Sequence, residues 1–104
     1  MDIEKRYYQF LDVKKSFSVA DYFIDSQNFI RIFNDNISSE HFVWHRDERS
    51  RSVKVVYADK NWSLQFDNFL PFNLIKDMTL NINKNTYHKL HKGSGTLILL
   101  IKEY

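Results

Sequence analysis

The chain has 104 residues, no cysteine, one proline, two glycines and a net charge of +2. This length fits one domain, and an apolar fraction of 43% with 16% aromatic residues excludes a disordered chain. The absence of cysteine excludes disulfides, thiolate metal sites and cysteine nucleophiles, and 15 basic against 13 acidic residues do not predict a nucleic-acid partner.

Residues 1–40 are predicted to form a helical or extended segment that packs on the rest of the single domain. Apolar residues recur at helical spacing from Ile3 to Leu11, which indicates a short amphipathic helix. A second short helix is predicted to begin with Ser26 as its cap and to continue to Phe33. We therefore expect this part of the chain to form short N-terminal helices.

Residues 41–104 are predicted to form the β-barrel core. Apolar and polar residues alternate with a period of two in Val53–Tyr57, Trp62–Phe66 and Met78–Ile82, as in half-buried strands. Thr96–Lys102 is an almost unbroken apolar run, typical of a strand buried on both faces. Short turn signals separate these segments, so an all-β barrel or jelly roll is expected.

Three residues form a candidate metal site. His45 and Asp47 are two apart on a predicted strand, so their side chains should share a face, and His88 lies on a later strand that can fold back beside them. Two histidines and a carboxylate on one face are typical of a site for Fe(II) or a related divalent ion. The alternative is a simple ion pair of His45 and Asp47. His41 and His91 have no such partners and are expected to be peripheral.

The order of these residues matches two motifs of a known family. His45-x-Asp47 stands where the first motif has H-x-H, and Arg51 takes the place of its glutamate. Met78–His88 corresponds to the second motif, an apolar stretch that ends in P-x-G-x-x-H. The chain thus resembles the cupin superfamily, including small cupin-like proteins of phages and bacteria. The resemblance implies a double-stranded β-helix barrel and a divalent metal, Fe, Mn, Zn or Ni, at His45, Asp47 and His88.

Three further residues are candidates for binding a ligand. Arg51 offers no lone pair and stays cationic, so it cannot replace the motif glutamate as a metal ligand. It is either a solvated charge at a strand edge or a clamp for a carboxylate or phosphate inside the barrel. Gln65 and Tyr57 are predicted to project into the barrel mouth, although a strand shifted by one residue would turn them outward.

Three functions are compatible with these residues. The first is a cupin-like protein that binds a divalent metal and a small anionic molecule, with metal-dependent catalysis as an extension. The second is a non-catalytic module that holds an anionic ligand in the same pocket, as a phage-type regulator would. The third is a module that docks on a host protein. Exposed sheet edges predict a homodimer, and the lack of an apolar leader or membrane-length segment predicts a cytoplasmic protein without a membrane partner.

Overall fold

The structure is a computed structural model that describes residues 19–37 and 42–104. The elements in these residues are eight strands: β1 (Val19–Phe23), β2 (Asn28–Asn34), β3 (Arg51–Ala58), β4 (Ser63–Phe66), β5 (Phe72–Asn73), β6 (Thr79–Ile82), β7 (His88–His91) and β8 (Thr96–Glu103). One antiparallel sheet has the order β1-β2-β8-β3-β6 and a second has the order β5-β4-β7. The all-β prediction is confirmed. The helix predicted at Ile3–Leu11 lies outside the described residues, and no helix within them is long and apolar enough to cross a membrane.

The apolar run near the C-terminus forms β8, the central strand of the five-stranded sheet. Leu97 and Leu99 face the main core between the sheets, whereas Ile98 joins a smaller cluster with Ile30 and Ile32 on the opposite face. Side chains alternate along a strand, so only a strand that is apolar at nearly every position can fill both clusters. The prediction of a strand buried on both faces is confirmed.

The segment before Asn34 is a strand, so the predicted helix from Ser26 to Phe33 is wrong. β2 pairs with β1 on one side and with β8 on the other. The spacing of its apolar residues fits a helix, but it also fits a strand buried on both faces, and pairing with β8 selects the strand. Asp25, not Ser26, organises the preceding turn, because its Oδ1 accepts the backbone N–H of Asn28 at 2.8 Å.

An aromatic cluster fills one end of the core. The rings of Phe33, Phe42 and Trp62 lie 6.0 to 6.1 Å apart between centroids. Trp62 is fully buried, and its indole N–H donates to the backbone carbonyl of Ser94 at 3.2 Å. A Cβ on Gly93 would overlap the backbone that leads into Trp62, so only glycine allows this close approach. We call Phe33, Phe42 and Trp62 the aromatic end.

The other end of the same core carries charges on inward-facing strand positions. Arg31 occupies the position of β2 between two buried phenylalanines, opposite Leu99 of β8. Arg51 begins β3 directly opposite Glu103, at the end of β8. We call this region, formed by Arg31, Asp47, Arg51, His88 and Glu103, the charged end. It lies where β3 and β7 begin and β8 ends, and the candidate site is built there.

Candidate metal and anion site

Two chain segments bring His45, Asp47 and His88 together. His45 and His88 form an isolated antiparallel bridge, in which each backbone N–H donates to the other residue's carbonyl, at 3.0 and 2.9 Å. This bridge places the two imidazole rings 4.3 Å apart between centroids. The carbonyl of Asp47 accepts the N–H of Asn85 at 2.8 Å, which ties its loop to the turn before β7. One ligand atom from each of the three side chains lies within 4.8 Å of the others.

Hydrogen bonds at Nδ1 leave Nε2 of both rings available as a ligand atom, and Nε2 of His88 lies 3.4 Å from Oδ2 of Asp47. The Nδ1 of His45 lies 3.0 Å from the carbonyl of Val43, and the Nδ1 of His88 lies 2.8 Å from the carbonyl of Thr86. A carbonyl can only accept, so each Nδ1 carries the proton and each Nε2 of a neutral ring keeps its lone pair. Histidines that ligate metals are commonly oriented in this way by the other ring nitrogen.

Burial keeps His88 neutral at neutral pH. Its residue is only 4% exposed, and this burial lowers the pKa of His88 below the usual 6.5. The nearby His45 and Arg51 also lower the pKa, whereas the hydrogen bond to Thr86 and the charge of Asp47 oppose the shift. A neutral imidazole is the form that binds a metal ion.

The Oδ2 atom of Asp47 can accept hydrogen bonds that it does not receive. It is buried and has no hydrogen-bond partner among the residues that the structure describes. Its nearest cationic or imidazole atoms, Nη1 of Arg51 and Nε2 of His88, both lie at 3.4 Å. Charge-assisted hydrogen bonds are about 2.7–2.9 Å long, so neither contact satisfies the oxygen. A divalent ion would, and two imidazoles with one carboxylate suit Zn, Fe, Mn or Ni. The residues therefore fit the metal that the cupin resemblance implies.

Arg51 lies inside the barrel, between two carboxylates. Its Nε and Nη2 each lie 3.4 Å from Oε2 of Glu103, and its Nη1 lies 3.4 Å from Oδ2 of Asp47. The side chain is only 15% exposed, so it is not a solvated charge at a strand edge. Its ion-pair contacts are all 3.4 Å long and its guanidinium lies 5.9 Å from the centroid of the Phe29 ring, so an anion at hydrogen-bond distance would contact it more closely than either carboxylate does.

A cavity opens beside His45 and His88. It has a volume of about 80 Å³ and a mostly apolar lining that includes Val53, Leu64 and Leu99, with His45, His88, Arg31 and Arg51 as its polar members. A wider opening of about 270 Å³ shares Arg31 and His45 with it. Because a cavity of about 10–15 Å³ on this measure already holds one water molecule, the inner cavity has room for a small organic group.

Arg31 is a functional candidate that the sequence analysis missed. Its Nε and Nη2 donate to both carboxylate oxygens of Asp21 at 2.8 and 2.9 Å. This bond is the main reason that the pKa of Arg31 is raised, and the charges of Asp47 and Glu103 add to it. The sequence signal is an arginine at the centre of Phe29-x-Arg31-x-Phe33, an inward-facing position in a strand. The signal was hidden because this segment was interpreted as a helix.

The structure does not bring Gln65 or Tyr57 to the cavity, which corrects their predicted placement. Gln65 bonds through Oε1 to Nε2 of His91 at 2.9 Å and donates through Nε2 to the carbonyl of Phe69 at 2.9 Å. The register of β3 against β8 shifts between Val55 and Tyr57.

This bulge moves Tyr57 to the outer face of the sheet, opposite Ile98, where its hydroxyl donates to Asp59 at 2.6 Å. His91 is three residues from His88 on β7, so its side chain lies on the opposite face of the strand, where it bonds with Gln65, and His41 lies outside the described residues.

Comparisons with known proteins identify the fold. No protein-family model and no curated protein matches the sequence. Protein NMB1881 of Neisseria meningitidis is similar in structure, with a TM-score of 0.59 and 11% identity over 85% of this chain and 84% of that one. A Ralstonia eutropha JMP134 protein, provisionally assigned as a mannose-6-phosphate isomerase, has a TM-score of 0.57 and 13% identity over 82% and 81%. At these identities the likeness concerns the fold alone, which is all-β and cupin-like.

Proposed function

We propose that this protein is a member of the cupin superfamily that binds one divalent metal ion through His45, Asp47 and His88 and a small anionic molecule in the adjoining cavity. The observation that carries the proposal is the buried Oδ2 of Asp47, which has no hydrogen-bond partner among the described residues, lies 3.4 Å from Nε2 of His88 and shares a three-ligand cluster with His45. A buried carboxylate oxygen without a partner costs free energy, and a bound cation would offset this cost.

Each part of the site has a separate task in this proposal. Three protein ligands leave positions open on a divalent ion, which supplies Lewis acidity to a ligand that reaches it from the cavity. His45 and His88 contribute lone pairs fixed by their Nδ1–H bonds, and Asp47 contributes charge. Arg31 and Arg51 attract an anion, and the apolar lining excludes water. In this proposal the bound metal ion would also allow catalysis on a small acid.

Calorimetric titration with metal ions tests the proposal. Untagged protein, freed of metal by EDTA and dialysed, is titrated with Zn²⁺, Mn²⁺ and Ni²⁺. We expect one ion per chain for at least one of these metals. His88→Gln should weaken binding by about 100-fold or more, since even changes behind the ligands cost about 10–100-fold. His91→Gln is the matched control and should bind as the wild type does. A wild-type protein that binds none of these ions stoichiometrically overturns the proposal.

The second candidate function is anion binding without a metal. It is favoured by Arg51, whose Nη1 lies 3.4 Å from Asp47 Oδ2 and already supplies a counter-charge. A thermal-shift screen of organic acids and nucleotides in EDTA tests it, because a ligand at 100 times its dissociation constant adds about 2.7 kcal/mol of stability. Stabilisation by an anion in EDTA, together with no metal binding, would select this function over the first.

A further inference from the structure

The guanidinium of Arg51 lies beside Asp47, the carboxylate that would bind the metal ion. Its Nη1 lies 3.4 Å from Asp47 Oδ2, the atom that the proposed metal site depends on. A guanidinium at this distance repels a divalent cation, and because His88 is buried and Asp47 partly buried, water screens this repulsion only in part, from the exposed side of His45. The free energy of metal binding therefore includes a penalty from Arg51 when the cavity holds no anion.

Glu103 gives Arg51 a second partner. It lies directly across from Arg51 in the pairing of β3 with β8, and its Oε2 is 3.4 Å from both Nε and Nη2 of the guanidinium. None of these contacts reaches the length of a short charge-assisted bond. Arg51 can therefore shift its bonding from Asp47 to another anion without leaving the cavity or losing its place beside Glu103.

The net charge of the site indicates the charge of the anion that would bind there. With neutral histidines, three carboxylates, Asp21, Asp47 and Glu103, face two guanidiniums, Arg31 and Arg51, which leaves a charge of −1. A divalent ion changes this to +1, and one monoanion then restores neutrality. A phosphate would overcompensate, and the hydroxyls of a sugar would find few partners in the mostly apolar lining. The matching class is a short monocarboxylic acid with an apolar body.

We infer that Arg51 couples two ligands of the proposed metal site: it opposes metal binding while the cavity is empty, and it binds the carboxylate of a short apolar monoacid once the metal is in place. The inference rests on the proposed function. It predicts that each ligand tightens the binding of the other by the same factor, because binding coupling is reciprocal.

Titrations with Zn²⁺ and butyrate test the coupling. Butyrate is expected to bind the zinc-loaded protein about tenfold or more tightly than the metal-free protein, and saturating butyrate should tighten zinc binding by an equal factor. Butyramide has the same shape without the charge and should do neither. Direct ligation of zinc by butyrate would also produce coupling, so variants of Arg51 are needed to assign it.

The variant Arg51→Gln distinguishes the two explanations, because coupling through Arg51 predicts that zinc affinity rises while butyrate affinity falls. It is expected to bind zinc more tightly than the wild type in the absence of butyrate, and to bind butyrate about tenfold or more weakly when zinc is present. Arg51→Lys keeps the positive charge and should retain the wild-type zinc affinity while losing butyrate affinity, because an ammonium lacks the planar fork. Arg49→Gln removes an equal charge from an exposed neighbour and should change neither affinity.

Failure of the inference and failure of the proposed function give different experimental results. If the wild type binds zinc but Arg51→Gln binds it no more tightly, or binds butyrate equally well, the inference is overturned and the metal site stands. If the wild type binds no metal ion, the proposed function fails and the coupling fails with it. Circular dichroism of each variant confirms that its fold is intact, and Arg51→Lys provides a second reading if Arg51→Gln does not fold.

Discussion

The aromatic end and the charged end share strand β2, which carries Phe33 and Arg31, but their buried side chains are accommodated in different ways. At the aromatic end, Phe33 of β2 packs with Phe42 and Trp62, and the one indole N–H finds a backbone acceptor. At the charged end, β2 and β3 carry Arg31 and Arg51 on inward-facing positions that a purely structural barrel would fill with aliphatic residues.

The difference indicates where stability and function reside. The aromatic end has its polar groups paired and its rings in contact, so it should contribute most of the free energy of folding. The charged end has a carboxylate oxygen without a hydrogen bond among the described residues and an arginine whose ion-pair contacts are 3.4 Å long. Local departures from good packing and pairing are expected at binding sites.

The largest effect should come from the aromatic end. Trp62→Ala removes a fully buried ring and leaves a cavity among its neighbours, so the free energy of unfolding should fall by about 3–5 kcal/mol. Urea denaturation measures this change. Trp44→Ala is the matched control, because Trp44 is 43% exposed and its loss should change stability by about 0.5 kcal/mol or less. Equal losses in the two variants would contradict the assignment of the aromatic end.

Metal binding should stabilise the charged end. A divalent ion at 100 times its dissociation constant is expected to raise the free energy of unfolding by about 2.7 kcal/mol. Asp47→Asn keeps the shape of the side chain but removes its charge, and it should abolish most of this gain at the same ion concentration. Thermal melts with and without the ion measure both quantities. A full gain in Asp47→Asn would show that the ion binds elsewhere.

Acid should destabilise the metal-free protein through His88. Because the folded-state pKa of His88 lies below its unfolded value of 6.5, the unfolded chain binds more protons as the pH falls. The contribution of His88 to stability is therefore complete above pH 6.5 and decreases as the pH falls through and below this value. Urea denaturation in EDTA between pH 8 and pH 5 measures the slope. His88→Gln should be flatter over this window, and an unchanged slope would exclude His88 as its source.

The smallest effect should come from Arg31. Its ion pair with Asp21 joins side chains that are 27% and 29% exposed, so solvent screens it. Arg31→Gln should lower the free energy of unfolding by about 1 kcal/mol or less. Arg46→Gln, at an exposed position, is the control and should be neutral within about 0.5 kcal/mol. A loss of several kcal/mol in Arg31→Gln would mean that this arginine supports the core.

Strands with a clear period of two were predictable, whereas β2 was not. In β3, β4 and β6 the alternation of apolar and polar residues admits one interpretation, and in β8 an unbroken run of branched residues indicated a strand buried on both faces. In Asn28–Asn34 the same apolar residues fit both periods, and the choice depends on pairing with β8, far away in the sequence. This error concealed Arg31. The bulge before Tyr57 was equally invisible, because it arises from the register against β8 and not from local composition.

The meeting of His45, Asp47 and His88 was predicted from their order in the sequence, but the predicted strand through His45 and Asp47 is wrong, because the structure has only an isolated bridge at His45 and a loop at Asp47. The relation of Arg51 to Glu103 was not predictable, because it requires the register of β3 against β8. Side-chain pairings that cross between distant strands lie beyond the reach of local patterns, even when each strand is correctly located.

Heteronuclear NMR of the imidazole nitrogens, recorded before and after addition of Zn²⁺, tests most directly whether His45 and His88 hold a metal ion. The expected result is that both rings carry their proton on Nδ1 throughout, that both Nε2 resonances shift with one equivalent of zinc, and that His91 is unchanged. If zinc shifts neither Nε2, or if the ion binds through Nδ1, the metal site described above does not exist.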